Sequence, residues 1–294
     1  MYAAWGSATD TGRVRTLNED ALVALAPIFL VADGMGGHDA GDVASRLVVE
    51  ECSVLVGRPS VTIEDLQGCF QRAAARMREV LAGRSAGATV AGAAIARHDD
   101  AAYWLVFNMG DSRVYRMVDG DLVQVTVDHS VVQELLEAGT LSADEASVHA
   151  DRHVVTRALA TDSASEPDYW MIPATRDDRL LICSDGLTDE LSDAQIQEIL
   201  RTETDAQEAA EALVAAALEA GGRDNVSVVV VDVAIVWHEL IGDRTQSHGG
   251  ADGTDGTDGT DGADGDQRGL DGLATEWDEQ THGITQPRVR GAIA

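Results

Sequence analysis

The sequence contains no lysine, so each of its 21 basic residues is an arginine. Chemistry that needs a deprotonatable side-chain amine, or the lysine of a phosphate-binding loop, is thereby excluded. Aromatic residues make up only 4% of the chain, so a core must be filled by Val, Leu, Ile and Ala, which the 45% apolar content allows. No stretch approaches the ~20 consecutive apolar residues that cross a bilayer. Residues 1–9 also lack a basic region followed by an apolar run. Cysteine is scarce: Cys52, Cys69 and Cys183 are odd in number and have neither paired nor metal-ligand spacing, as expected of reduced cytosolic thiols. Positive charge is scarce too. Against 51 acidic residues the formal net charge is −30, which repels nucleic acid and anionic lipid surfaces alike. A soluble, cytoplasmic globular protein is expected, with no nucleic-acid or membrane partner.

Up to about Ile235 the chain alternates short β-branched runs with Ala/Leu/Glu-rich segments. Strands are predicted over 28–32, 88–96, 103–108, 113–117, 122–125, 179–183 and 226–233. Apolar residues at spacings of three and four predict helices over 42–56, 63–81, 131–138 and 205–220. Tight turns at Asp99-Asp100 and Asp119-Gly120 favour antiparallel hairpins. The expected fold class is α+β, a central antiparallel β-sandwich flanked by helices in α-β-β-α layers. From about His238 the composition changes. Glycines at 250, 253, 256, 259, 262 and 265 keep a strict triplet period, but the intervening residues are mostly Thr-Asp without proline, which argues against a collagen-like segment. Such a stretch buries too little apolar surface to offset its ordering entropy. The predicted organisation is one catalytic domain over 1–236 and a disordered, acidic, low-complexity tail over 237–294.

Four segments couple Asp to Gly or Asn at a strand end, where a turn can aim a carboxylate into a cleft. Asp33-Gly34 ends the first predicted strand, Gly110-Asp111 lies between two strands, Asp185-Gly186 follows Ile182 and Cys183, and Asp224-Asn225 precedes the strongest β-branched run. All four can converge on one sheet end. Carboxylates gathered without His or Cys ligands favour hard cations such as Mg2+ or Mn2+. Two such ions can acidify a shared water and clamp a phosphoryl oxygen. Arg15, in Arg15-Thr16-Leu17-Asn18-Glu19-Asp20, offers a bidentate guanidinium suited to a phosphate dianion.

These residues carry a resemblance. Arg15–Asp20, Asp33–His38, Gly87-Ala88-Thr89, Gly110–Arg113, Asp185-Gly186 and Asp224-Asn225 are similar, in order, to the motifs of the metal-dependent (type 2C) serine/threonine protein phosphatases, over about Thr9 to Val233. The resemblance implies that Asp33 bridges two metals, that the Gly34 carbonyl helps to hold the second, and that Asp185 and Asp224 complete the first site. Glu19, Asp20 and Asn225 would stand in support. The bacterial branch adds a third ion, for which Asp111 and Asp185 match the ligands, and 128–152 corresponds to its mobile flap. By the same resemblance the protein hydrolyses phosphoserine and phosphothreonine on proteins, a cognate kinase among them, by attack of a metal-activated water without a phosphoenzyme; a monomer is expected. Met35 stands where animal members place a proposed general-acid histidine. That leaves a metal-bound water, His38 or no protein acid for the leaving group.

Other readings compete. Any one of Asp33, Asp185 or Asp224 alone would read as a turn or cap residue. His129 reads as ordering the Asp128 turn. Cys183 lacks the downstream arginine of a cysteine-nucleophile phosphatase. Asp119-Gly120-Asp121 imitates an aspartyl-nucleophile signature, but it sits between two short strands and lacks a partner lysine. The rival from another class is a catalytically silent regulator that keeps the fold to bind a phosphoprotein, against which the intact acids argue.

Overall fold

The structure, a computed structural model, describes residues 1–36, 40–81, 83–99, 101–146, 148–161 and 166–235. Gly37, His38 and the whole predicted tail over 237–294 lie outside the described residues. The strands in chain order are β1 (Tyr2–Asp10), β2 (Asp20–Leu25), β3 (Ile28–Gly36), β4 (Ala86–Ala88), β5 (Val90–His98), β6 (Ala101–Met109), β7 (Arg113–Val118), β8 (Asp121–Gln124), β9 (Leu159–Ala160), β10 (Asp168–Pro173), β11 (Arg179–Cys183) and β12 (Val226–Ile235). The helices are α1 (Ala40–Ser53), α2 (Ile63–Leu81), α3 (Val131–Glu137), α4 (Ala143–Ala146), α5 (Asp185–Thr188), α6 (Asp193–Thr202) and α7 (Ala206–Ala220).

Two sheets form. One runs β1-β12-β11-β7-β8; the other runs β10-β6-β5-β3-β4-β9, with β2 also on β3. Every pairing among these strands is antiparallel. Strand period explains the layering, because successive side chains leave a strand on opposite faces. On β3, Phe29 and Val31 enter the layer between the sheets, while Ile28, Leu30 and Ala32 face α1 and α2. On β12, Val229 and Val231 join that central layer, while Val228 and Val230 pack under α6 and α7. Strands buried on both faces read as continuous apolar runs, and three cores stack as helix, sheet, sheet, helix.

The hairpin turn at Asp119-Gly120 sits where it was expected. Val118 pairs with Asp121 across Asp119 (φ 52°) and Gly120 (φ 85°), a two-residue turn whose twist suits the strands and which leaves no aspartyl nucleophile there. The differences are equally specific. The predicted run 88–96 is two strands broken at Thr89, and the helix expected over 42–56 spans Ala40–Ser53. β1, β2, β9, β10, α4, α5 and α6 were not anticipated. Ser192 and Gln195 form a capping box at the start of α6, a signal present in the sequence. The segment 128–152 contains α3, whose N-terminus Ser130 caps by accepting from the Gln133 N–H, and the short α4.

Candidate metal centre

β2 and β3 bring the first acids together, since Asp20 lies directly opposite Asp33 in their register. The close approach of α1 to the end of β3 requires Gly34: a Cβ there would fall 2.2 Å from the Gly41 carbonyl oxygen. Thr89 locks the same point. Its N–H donates to the Asp33 carbonyl at 2.9 Å, its hydroxyl accepts from the Asp33 N–H at 3.2 Å, and the hydroxyl also lies 2.7 Å from Ser112 Oγ. The break between β4 and β5 therefore serves the site.

Asp185 follows β11 as the first residue of α5. The preceding Ser184 donates from Oγ to Asp20 Oδ2 at 2.8 Å and accepts from the Ser227 N–H at 2.9 Å, tying β2, β11 and β12 together. Asp224 enters β12; its Oδ1 accepts from the Asn225 N–H at 2.8 Å and its Oδ2 from Arg15 Nη2 at 2.7 Å. Asn225 is a clamp. Oδ1 accepts from the Glu19 N–H at 2.8 Å, and Nδ2 donates to the carbonyls of Thr11 and Leu17 at 2.9 and 3.0 Å. Glu19 in turn gives its carbonyl to the Gly34 N–H and to Ser45 Oγ. Asp111 follows β6 and Gly110, and that loop is held by His129. The imidazole Nδ1 accepts from the Gly110 N–H at 3.1 Å, and Nε2 lies 3.1 Å from Asp168 Oδ2. His129 thus braces the Asp111 loop rather than merely ordering the Asp128 turn.

Arg15, Glu19, Asp33, Gly34, Asp111, Asp185, Asp224 and Asn225 line one cavity of about 750 Å³, and Asp20 lies opposite Asp33 in the register and accepts from Ser184, the residue before Asp185. Of the nine residues singled out in the sequence, none is far from this cavity. The electrostatics are severe. Burial, then the charges of Asp20, Asp185, Asp111 and Asp224, push the Asp33 carboxyl well above its usual range. Asp185 is raised in the same way, by burial and then by Asp111, Asp189, Asp224 and Asp20. Burial lifts Asp111 to about 7, with Asp128 adding to it, and lifts Asp20 to about 6 against hydrogen bonds from Ser227 and Ser184. Oδ1 of Asp20 and Oδ1 of Asp185 are buried without a hydrogen-bond partner among the described residues. Orphaned carboxylate oxygens that repel one another fit divalent cations, which would satisfy the oxygens and cancel the repulsion. The oxygen donors of Asp33, Asp111, Asp185 and Asp224 suit Mn2+ or Mg2+.

Several residues at the cavity were not anticipated. Arg152 ends the segment 128–152 and His153 follows it, while Asp189, Glu190 and Arg223 come from the loops beside Asp185 and Asp224. His153 Nδ1 lies 3.2 Å from Asp189 Oδ2, and ligand atoms of His153, Asp185 and Asp189 all lie within 4.8 Å of one another. Asp189 stands four residues after Asp185, a helical spacing that could have flagged it. His153 lies in an aperiodic stretch that carries no such signal. Arg15, expected at a phosphate, is ion-paired with Asp224.

A sequence profile of the protein phosphatase 2C family matches residues 13–220. The chain is 35% identical over 239 residues to the serine/threonine phosphatase stp of Listeria innocua, covering 76% of this chain and 93% of that protein. It is 37% identical over 252 residues to the serine/threonine protein phosphatase PstP of Mycobacterium tuberculosis, covering 78% of this chain but 45% of that longer protein. Two solved structures are similar at 36% identity, each covering 79% of this chain and 99% of its own. One is the M. tuberculosis phosphatase PstP/Ppp, at TM-score 0.73, and the other the PstP catalytic domain in complex with two manganese ions, at 0.71.

Proposed function

This chain belongs to the protein phosphatase 2C family and is a metal-dependent serine/threonine protein phosphatase, and from that premise we propose which of its residues carry the hydrolysis. The observation that supports the assignment most directly is convergence: Asp33, Asp185 and Asp224, drawn from β3, the start of α5 and the entry to β12, line one cavity together with Arg15.

Mn2+ or Mg2+ bound among these acids supplies an acidified water as nucleophile and positive charge for the phosphoryl oxygens. Asp33, the Gly34 carbonyl, Asp185 and Asp224, which line the cavity together, would hold two ions, and Asp111 with Asp185 would hold a third. Glu19, Asp20 and Asn225 act behind them, through the hydrogen bonds that fix the strand ends. Arg15 has a double role. Its guanidinium, half exposed and held by Asp224 in the structure, is free to turn to a phosphate dianion once Asp224 engages a cation. The substrates are phosphoserine and phosphothreonine proteins in the cytoplasm, a cognate kinase among them, and the enzyme acts as a monomer.

The test is turnover of a phosphothreonine peptide with and without Mn2+. Activity should appear with Mn2+, vanish with EDTA, and fall at least ~100-fold in Asp33→Asn, Asp185→Asn and Asp224→Asn. Turnover that survives EDTA contradicts the metal chemistry. A folded wild type with no turnover in saturating Mn2+ turns the assignment toward a silent regulator.

A further inference from the structure

Asp185 and Asp224 lie beyond the paired part of their strands. The β11–β12 register ends at Cys183 opposite Val228 and is followed by the bonds between Ser184 and Ser227. Glu190 ties the turn before Asp224 to the segment that carries Asp185, beside the close packing of Gly186 on the Asn225 carbonyl. Glu190 follows α5, and its side chain is only 3% exposed although its partner Arg223 is 65% exposed. Glu190 Oε1 accepts both from the backbone N–H of Arg223 and from its Nε, each at 2.9 Å, and Oε2 accepts from Nη2 at 3.1 Å. The same Nη2 donates to the Asp189 carbonyl at 3.1 Å. Arg223 immediately precedes Asp224. The opposite side of the turn is held by Arg13, whose N–H donates to the Gly222 carbonyl at 2.7 Å and whose Nε donates to Leu218 O at 2.8 Å. Hydrogen bonds from Arg223 outweigh burial and keep the Glu190 carboxyl below its usual range, so this acceptor stays ionised at neutral pH.

Resting on the phosphatase reading, we propose that Glu190 is a positioning residue: by holding the backbone of Arg223 against the end of α5 it sets the separation of Asp185 and Asp224, and so the affinity of the centre for divalent cations. The need for such a clamp follows from the forces on Asp224. Arg15 pulls its carboxylate at 2.7 Å toward the exposed side of the cavity. A cation demands that donor oxygens stay within a few tenths of an ångström of their places. An outer guanidinium contact can be replaced by water, but the bond to the Arg223 N–H cannot be moved without moving the backbone that leads directly into Asp224. Groups behind metal ligands typically change affinity by ~10–100-fold when removed.

The experiment compares wild type, Glu190→Ala and Glu190→Gln by Mn2+ titration calorimetry, by the melting temperature of the metal-free protein, and by kcat and KM on a phosphothreonine peptide. Glu190→Ala is expected to weaken Mn2+ binding about 10-fold, to recover most of its kcat at saturating Mn2+, and to leave the peptide KM near wild type. Glu190→Gln keeps the oxygen that accepts from both the N–H and Nε of Arg223 and should weaken Mn2+ binding only about 3-fold. A Glu190→Ala protein that melts lower yet binds Mn2+ within twofold of wild type shows an ordinary structural bond and overturns the proposal. If that variant does not fold, unchanged Mn2+ affinity in Glu190→Gln overturns it instead. A wild type that neither binds Mn2+ nor hydrolyses the peptide defeats the phosphatase reading itself.

Discussion

Asp111 shows how the centre is held in tension at the level of single residues. Its carboxyl is lifted to about 7, chiefly by burial and next by Asp128, whose own charge is gripped by Arg113 at 2.7 Å. A carboxyl raised in the folded state binds more protons there than in the unfolded chain between an ordinary value near 4 and about 7. Its contribution to stability is therefore largest at the acidic end of that window and is lost as pH rises through it. Asp20, lifted to about 6, acts with the same sign. Metal-free protein should accordingly lose melting temperature between pH 5 and pH 8, and Asp111→Asn should flatten that slope and melt higher than wild type at pH 8. Melting curves in EDTA check this; a wild-type slope of opposite sign would show that the acids are not mutually repelled. Asp33, Asp111, Asp185 and Asp224 were legible because each stands beside Gly or Asn at a strand end, whereas Asp20, between Glu19 and Ala21, was read only from the resemblance. His153 and Glu190 were not legible, because their importance comes from contacts made only after loops 33 or more residues apart have met.

Elements differ in how plainly their sequences announce them. β3, β11 and β12 are buried on both faces and read as unbroken apolar runs, so their positions could be anticipated. β1 could not, since Tyr-Ala-Ala-Trp-Gly-Ser-Ala-Thr-Asp is rich in small residues and owes its extended form to pairing with β12 over its whole length. β2 is likewise fixed by β3, and it is this pairing that sets Asp20 against Asp33. The element that links these strands to the centre is the Asn225 clamp, which joins the loop before β2 to the entry of β12 through three hydrogen bonds. Asn225→Ala leaves the Glu19 N–H and two carbonyls without their partner, at a cost of about 2–3 kcal/mol. The expected result is a melting temperature lower by ~5–10 °C and weaker Mn2+ binding together, read by calorimetry on the same samples. Loss of stability alone would separate the clamp from the centre.

For the molecule as a whole, charge and domain limits matter more than any single contact. A net charge of −30 draws divalent cations toward the cavity but repels acidic substrates over the distance that salt does not screen. Phosphopeptides with arginine or lysine beside the phosphoresidue should therefore show KM values several-fold lower than acidic ones at low ionic strength, and the gap should close near 0.5 M salt. Among the described residues the outer face of one sheet is covered by α1 and α2 and that of the other by α6 and α7. On that ground we propose that 237–294 lies outside the catalytic domain and serves as a linker. Removing it should leave peptide kcat/KM within twofold and the melting temperature within ~2 °C, because an acidic Gly/Asp/Thr segment has little apolar surface to contribute to a core. A truncated protein that melts far lower, or whose KM for a protein substrate rises while its KM for a short peptide does not, would place part of that segment in the domain in the first case and in substrate docking in the second.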